Sequence, residues 1–256
     1  MSKAAESLDS LLRVMRRLRN PDHGCAWDRA QDFASIAPYT LEEAYEVVDA
    51  IDRQDLKSLR TELGDLLFQV VFHAQMAEEA GAFSFADVAG GIAAKLIRRH
   101  PHVFDDQPAA DWEALKAEER AAEGKQGALD GIALALPALT RAAKLGKRAA
   151  RVNFDWQCVA QVREKIAEEL AELDCAVANG ESRQRQVEEF GDCLFACSQW
   201  ARYQGIDPEA ALRQANQKFA RRFAAMERIA AQRGWALGEL DSRRWDELWM
   251  LAKEAT

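Results

Sequence analysis

The sequence is poor in the residues that mark turn-rich, membrane-spanning or secreted proteins. Its 256 residues include only 14 Gly and 6 Pro, which weighs against an all-β chain with a tight turn roughly every ten residues. No apolar run reaches the ~18 residues that a membrane span needs, and the N-terminus has no apolar signal segment. The five Cys form no C-x-x-C pair, so we expect reduced thiols in a cytoplasmic protein.

Several catalytic motifs are also missing. The sequence has no G-x-x-x-x-G-K-[ST] loop, which excludes a P-loop nucleotidase. None of the four His follows a Glu by three residues, so the E-x-x-H pattern of a di-iron bundle is absent. No Ser/His or Cys/His arrangement indicates a side chain that acts as nucleophile. If the protein catalyses a hydrolysis, a metal-activated water is therefore the remaining nucleophile. Acidic residues outnumber basic ones by 42 to 34, a balance that argues against a nucleic-acid partner.

What the sequence does contain is a duplicated helical pattern. Ala, Leu, Glu, Arg and Gln are abundant and apolar residues recur at helical spacing, so we predict an all-α fold. The motif E-E-x-x-E at 42–46 recurs 126 residues later at 168–172, and E-x-G-D at 62–65 recurs 127 residues later at 189–192. K-x-x-R-R at 95–99 recurs 123 residues later. Three motifs in one order indicate two tandem copies of one helical unit.

The stretch between the two copies is charged at first and then rich in Gly and Ala, as is typical of an exposed connection. We therefore predict three segments. They are an N-terminal helical domain at residues 1–123, a linker at 124–136 and a C-terminal helical domain at 137–256.

Each copy carries four carboxylates on two adjacent helices. They are Glu43, Glu46, Glu62 and Asp65 in the first copy and Glu169, Glu172, Glu189 and Asp192 in the second. Two such helices packed antiparallel bring four like charges together, and this arrangement needs a counter-charge. Oxygen ligands favour a hard divalent cation, so we predict a Mg²⁺ site, with Mn²⁺ as the second candidate. Large apolar residues flank the acids at 62–65, which predicts that this helix is buried on most faces.

The two copies differ in their third helix and beyond. Each has K-x-x-R-R, whose charges suit a substrate with several phosphates held on a metal. Only the second copy has Asn216, where the first has Ala93, and only the second has a late aromatic segment with Trp245 and Trp249. Trp can stack on a nucleobase, although Trp at helical spacing is also typical of a core. We expect the second copy to be the better nucleotide site.

On these residues the sequence resembles the MazG nucleotide pyrophosphohydrolases, a family within the all-α NTP pyrophosphatase superfamily. The resemblance covers essentially the whole chain. Beyond the acidic motifs it includes GCAWDRAQDFASIAPYTLEEAYEV, ELGDLLFQVVFHAQMA, RRHPHVF, NFDW and ANQKFARRF. It implies two MazG-like helical bundles, a homodimer and Mg²⁺-dependent hydrolysis of nucleoside triphosphates to the monophosphate and pyrophosphate, which is a nucleotide diphosphatase activity.

The resemblance also implies which residues act. In the C-terminal copy, Glu169, Glu172, Glu189 and Asp192 would hold Mg²⁺, so that a metal-activated water attacks the α-phosphorus. The substrate would be bound by Lys165, Glu168, Arg185, Asn216, Lys218, Arg222 and Trp249. The N-terminal acids would form a second, weaker site. This sequence departs from the family at Asn153, where Gly is usual before F-D-W, and at Arg185, where Lys is familiar.

Other interpretations of the same residues stay open. One is a different reaction on the same scaffold, as in the dUTP-type or phosphoribosyl-ATP pyrophosphohydrolases. Another is a helical regulatory protein that binds nucleotides without turnover. The sequence does not determine the preferred base or sugar, the number of metal ions per site, the activity of the N-terminal copy, or a role in nucleotide cleansing as against control of signalling nucleotides.

Overall fold

The protein folds as two compact helical units, Met1–Leu115 and Lys116–Thr256. The computed structural model describes residues 2–104, 108, 112–122, 124 and 127–255, and these residues form helices, turns and loops without a β-strand. The all-α prediction is therefore confirmed. The linker bounds at 124–136 stay a prediction, since Lys125 and Gln126 lie outside the described residues. Within the described part, no helix is long and apolar enough to cross a lipid bilayer.

Among the described residues, the first unit has six helices before a seventh that spans the unit boundary. They are α1 (Lys3–Leu18), α2 (Ala26–Ala30), α3 (Phe33–Asp52), α4 (Leu56–Glu79), α5 (Phe85–Arg99), α6 (Pro101–Phe104) and α7 (Trp112–Ala122). Polar side chains set the starts of the long helices. Asp32 forms a capping box with Ser35 at α3, and Asp55 accepts hydrogen bonds from the first turn of α4, so each helix begins where its free backbone N–H groups find acceptors.

The core of the first unit forms where α1, α3 and α4 meet. Met15, Ile36, Val71, Phe72 and Met76 are buried there together. Burial of such side chains contributes roughly 1.5–3 kcal/mol each to folding. This core holds α3 and α4 side by side, which places the acidic segment of α3 opposite that of α4.

The second unit repeats the order of the four long helices of the first unit, and a short 3-10 turn and one more helix follow them. Its helices are α8 (Ala138–Ala150), α9 (Val159–Ala178), α10 (Arg183–Tyr203), α11 (Pro208–Gln232), a short 3-10 turn (Leu237–Glu239) and α12 (Ser242–Glu254). The α11 and α12 helices pack around Ala225, Met226, Ala230, Leu248 and Ala252, with several Trp and Phe against them. The α12 helix thus contributes Trp245 and Trp249 to an aromatic cluster of this unit.

Buried side chains of α10 form hydrogen bonds with the backbone of α8. Ser198 Oγ donates to the Leu139 carbonyl at 3.2 Å, and Gln199 Nε2 donates to the Ala142 carbonyl at 2.8 Å. Both side chains are fully buried, and buried polar groups of this kind must be hydrogen-bonded to be tolerated.

One face of α4 and α10 differs from the expectation of burial on most faces. Leu63 and Leu67 on α4 are exposed, as are Phe190 and Leu194 at the duplicated positions on α10. Further along α4, towards its C-terminal end, Val71 and Phe72 are buried. The prediction was wrong for a single chain because the apolar residues around these helices exceed what one unit's core covers. Exposed apolar faces of this size mark interaction surfaces.

Candidate active site

The second unit brings three carboxylates together between α9 and α10. Glu169, Glu172 and Glu189, here called the C-terminal trio, each offer an oxygen atom within 4.8 Å of the others. Glu169 and Glu189 are buried, whereas Glu172 is exposed. The helical spacing of Glu169 and Glu172 places both on the side of α9 that faces α10, so the acids meet where the two helices pack.

The charges of the C-terminal trio repel one another. Partial loss of hydration raises the pKa of Glu172 although the residue is exposed, and the carboxylates of Glu189 and Glu169 raise this pKa further, while Lys165 lowers it. A compact set of carboxylate oxygens with unfavourable mutual charge is the donor set that hard divalent cations prefer. The residues present therefore fit a bound divalent cation.

Two basic side chains already contact this trio. Lys165, one turn before Glu169 on α9, places its Nζ 2.8 Å from Glu169 Oε1 and 2.9 Å from Glu168 Oε1. Arg185, one turn before Glu189 on α10, forms an ion pair with Glu189. Hydrogen bonds to Glu169 and Glu168 raise the pKa of Lys165, so its ammonium stays charged. The sequence predicted both side chains near the substrate phosphates, and here both contact carboxylates.

The other predicted acidic residues lie at the edge of the trio. Asp192 is exposed on α10, one turn beyond Glu189, and lies outside the group of three. Glu168 is exposed and pairs with Lys165. The neighbouring Cys193 is buried, and burial raises the pKa of its thiol, so Cys193 is a poor nucleophile.

The remaining predicted substrate residues lie on α11 and α12. Asn216 and Lys218 are exposed on α11. Arg222, one turn further on, places its guanidinium carbon 5.6 Å from the centre of the Trp249 ring, and its Nε is buried without a hydrogen-bond partner among the described residues. Phe219 packs against the same Trp249 ring at 5.8 Å. These side chains form a basic and aromatic surface that could hold an anionic ligand with a flat ring.

The first unit contains a matching group. Glu43, Glu46 and Glu62, here called the N-terminal trio, also offer oxygen atoms within 4.8 Å of one another. Burial raises the pKa of Glu43, and the negative charges of Asp65 and Glu46 raise it further. Asp65 is exposed and lies outside the group of three, as Asp192 does. The duplication read from the sequence thus extends to the geometry of the acids.

Two further polar residues, Gln69 and His73, lie on α4 beyond the N-terminal trio. Gln69 is buried, and its Oε1 has no hydrogen-bond partner among the described residues. His73 lies 2.9 Å from Thr40 Oγ1 and stacks on Phe33. Burial lowers the pKa of His73, so this ring is neutral near pH 7 and cannot supply positive charge to the acids.

The segment at 153–156 keeps its turn despite the departure from the family pattern. Asn153 has φ +63°, a left-handed conformation that Gly adopts freely and that Asn tolerates better than most residues. The following Asp155 forms a two-point ion pair with Arg202 on α10, with oxygen–nitrogen distances of 2.6 and 3.1 Å. Asn in place of Gly is therefore compatible with the turn that this ion pair requires.

The contacts that sequence reasoning missed fall into two kinds. Lys165 with Glu169 and Arg185 with Glu189 are each four residues apart on a helix, a spacing typical of ion pairs, so their pairing was readable. The contact of Gln199 with the segment around Gly146 joins residues far apart in sequence. No pattern within a short stretch of sequence predicts a contact between residues that far apart.

Each unit of the chain matches a family model of pyrophosphohydrolases. The family model described as the MazG nucleotide pyrophosphohydrolase domain matches residues 31–104. The model described as phosphoribosyl-ATP pyrophosphohydrolase matches residues 138–219. The first match includes the N-terminal trio, and the second includes the C-terminal trio.

Several curated proteins are similar over nearly the full length. A nucleoside triphosphate pyrophosphohydrolase of Escherichia coli (strain K12) is 50% identical over 254 residues, which cover 96% of this chain and 97% of that protein. A nucleoside triphosphate pyrophosphohydrolase/pyrophosphatase MazG of Thermotoga maritima is 43% identical over 256 residues, covering 99% and 98%. The uncharacterized protein YabN of Bacillus subtilis (strain 168) is 42% identical over 248 residues, covering 94% of this chain and 50% of that protein.

Proposed function

This chain belongs to the MazG nucleotide pyrophosphohydrolase family, and from that premise we propose how its residues divide the work of a nucleoside triphosphate pyrophosphohydrolase. The activity is a hydrolase activity on nucleoside triphosphates. We assign it to the second unit. The observation that carries this assignment is the C-terminal trio with basic side chains beside it and, in the same unit, the basic and aromatic surface of α11 and α12.

The cation-binding residues of the proposal are the acids of the second unit. Glu169, Glu172 and Glu189 would hold a divalent cation, with Asp192 at the edge of the site, and Mg²⁺ is the first choice because all donors are oxygens. When bound, the cation would neutralise phosphate oxygens and lower the pKa of a water molecule. The exposed Glu172 is placed to accept a proton from a water molecule that enters from solvent.

The basic and aromatic residues would bind the substrate. Lys165 and Arg185 would contact phosphate oxygens, which prefer charged donors, and Lys218 and Arg222 would neutralise the leaving pyrophosphate. Asn216 would hydrogen-bond the nucleoside, and the half-buried ring of Trp249 would stack on the base. Attack at the α-phosphorus then yields the nucleoside monophosphate and pyrophosphate.

Product analysis tests this reaction directly. The purified chain is incubated with a panel of NTPs and dNTPs in Mg²⁺, and pyrophosphate is resolved from orthophosphate. We expect monophosphate and pyrophosphate. Orthophosphate with a nucleoside diphosphate would move the attack to the γ-phosphorus and overturn the mechanism. Absence of turnover with every substrate would favour a nucleotide-binding regulatory role.

A second candidate reaction follows from the match of residues 138–219 to the phosphoribosyl-ATP pyrophosphohydrolase model. Phosphoribosyl-ATP therefore belongs in the same substrate panel. A kcat/KM for phosphoribosyl-ATP well above that for every NTP would replace the NTP assignment for the second unit. We expect the reverse order, because the relatives similar over the full length are named for nucleoside triphosphates.

We also place a second and weaker cation site in the first unit, at Glu43, Glu46, Glu62 and Asp65. The geometry of its trio supports cation binding. Its helix α5 has Ala93 where α11 has Asn216, and no Trp side chain of its described residues packs on α5 as Trp249 packs on α11. Nucleotide binding in the first unit would therefore lack two of the proposed contacts.

A homodimer in the cytoplasm completes the proposal. Apolar residues remain exposed on α9 and α10, among them Val177, Val187 and Phe190, and on α4 of the first unit. Covering such surfaces stabilises association. Light scattering after size exclusion should give twice the chain mass of 28.6 kDa. Val177→Arg should lower that mass, whereas Leu212→Arg, at an exposed leucine of α11, should leave it unchanged.

A further inference from the structure

The two acidic trios have the same geometry and different immediate surroundings. In the C-terminal trio, Lys165 pairs with Glu169 and Arg185 pairs with Glu189. Two of its three carboxylates therefore have a protein cation in contact. Each of these ion pairs engages one oxygen of a carboxylate that the proposal assigns to the divalent cation.

The N-terminal trio has no such cation at the duplicated positions. The acids of the two copies are 126 residues apart on the first helix and 127 apart on the second. By the same offsets, Tyr39 stands at the position of Lys165 and Ser58 at the position of Arg185. Tyr39 packs against Trp27 at 6.3 Å, and Ser58 donates to Asp55 Oδ2 at 2.7 Å. The charge of Arg53 lowers the pKa of Glu62. The ion pair that Arg53 forms through its Nε, at 2.9 Å, is with Asp49, which is not a member of the trio.

Both cations of the C-terminal trio can leave their carboxylates. The Lys165 side chain is 35% exposed and that of Arg185 is 51% exposed, and each has a long flexible stem. Their partner carboxylates, Glu169 and Glu189, are buried, and a buried carboxylate left without a counter-charge is costly. Each carboxylate can therefore release its side chain only when another cation replaces it. Phosphate oxygens are strong acceptors for the same side chains, so a nucleoside triphosphate offers them new partners when it arrives.

We propose that Lys165 and Arg185 occupy the place of the divalent cation while no nucleotide is bound, and we call them stand-in cations. The C-terminal trio therefore accepts its divalent cation together with the nucleotide and not before it. On binding, the two side chains release Glu169 and Glu189 and take up phosphate oxygens. The N-terminal trio has Tyr39 and Ser58 at the two duplicated positions, and it binds free divalent cations without nucleotide. This inference rests on the proposed function, because it assumes that the second unit binds a nucleoside triphosphate with its metal.

The test measures binding of free Mn²⁺ to the full chain, by electron paramagnetic resonance, in a Glu43→Gln/Glu46→Gln background that removes the N-terminal trio. Without nucleotide, Lys165→Met should tighten Mn²⁺ binding roughly tenfold, because one competing positive charge is gone. Lys165→Arg keeps the charge and should leave the Kd near that of the parent. Lys144→Met, at an exposed lysine of α8, is the matched control and should not change it.

Nucleotide binding should change in the opposite direction. Lys165→Met should weaken binding of a preformed complex of Mn²⁺ with a non-hydrolysable α,β-methylene ATP, measured by calorimetry. A merely structural role for Lys165 would weaken both ligands together. Unchanged or weaker binding of free Mn²⁺ by a folded Lys165→Met variant would overturn the inference.

A further variant separates this inference from the proposed function. Glu172→Gln in the same background should abolish the remaining Mn²⁺ site when Lys165→Met is also present. Loss of the site without the tightening by Lys165→Met would overturn only the stand-in role. Retention of the site by Glu172→Gln would overturn the metal assignment of the C-terminal trio and the stand-in role with it.

Discussion

The side-chain amide of Gln199 on α10 fills the space that a Cβ atom on Gly146 of α8 would occupy. Gln199 is fully buried, donates to the Ala142 carbonyl, and accepts a hydrogen bond from Arg202 Nε at 2.9 Å. Arg202 in turn holds Asp155. The close approach of α8 and α10 thus fixes the position of Gln199. Hydrogen bonds then connect Gln199 through Arg202 to Asp155 in the 153–156 segment.

Gly146→Ala should destabilise the second unit. The added methyl group would displace the Gln199 carboxamide and break its hydrogen bonds, at a cost of about 1–3 kcal/mol in the free energy of unfolding. Chemical denaturation measures this change. Gly191→Ala on α10 is the matched control, since nothing lies within 4 Å of the position that its methyl group would take, and it should stabilise slightly. Equal effects of the two substitutions would contradict the packing argument.

Asp155 should contribute stability that is lost in acid. Burial alone would raise its pKa, but hydrogen bonds from Arg202 and Tyr203 outweigh burial and lower the pKa below its usual 3.8. Because the folded pKa is the lower one, the contribution is complete at neutral pH and disappears as the pH falls through the unfolded and then the folded pKa. At pH 7, Asp155→Asn should cost about 1–2 kcal/mol.

The measurement for Asp155 is the free energy of unfolding against pH. The gap between the parent and Asp155→Asn should begin to close as the pH approaches the usual carboxyl value of 3.8 and should vanish only below the lowered pKa of the folded state. Asp246→Asn, at an exposed aspartate of α12, should follow the parent at each pH. A gap that stays constant down to the acid limit would show that the ion pair with Arg202 is not the source.

Glu172→Gln should reduce kcat by at least about a hundredfold, because the site loses a carboxylate charge and its proposed base. Asp192→Asn should also abolish turnover. Circular dichroism should show the helical fold intact, since both residues are exposed. Glu46→Gln, at the position duplicated in the first unit, should keep most of the activity. Loss of turnover in Glu46→Gln with retention in Glu172→Gln would assign catalysis to the first unit.

Trp249→Ala should raise KM for nucleotides about tenfold, because stacking of a base on an aromatic ring contributes ~1–3 kcal/mol. The ring also packs against Phe219 and Arg222, so thermal unfolding must accompany the kinetics. Trp249→Phe keeps a stacking surface and should recover most of the affinity. A KM unchanged in a folded Trp249→Ala variant would remove this residue from the nucleotide site.

Much of the site could be predicted from the sequence because its elements are local. Glu169 and Glu172 share a helix face by spacing alone, and the constant offsets to Glu43 and Glu46 exposed the duplication. The all-α fold followed from composition and periodicity. The family resemblance then supplied the reaction, which the relatives similar over the full length support.

Tertiary structure decided what depends on how helices pack. It showed that three carboxylates of each unit meet while Asp65 and Asp192 lie outside the groups, and that Lys165 and Arg185 contact carboxylates in the C-terminal trio. It also paired Gln199 with Gly146 and left one face of α4 and α10 exposed. Helical periodicity determines which side chains share a face, because that depends on neighbours in sequence. Which face meets which partner depends on the whole core, and only the folded chain decides it.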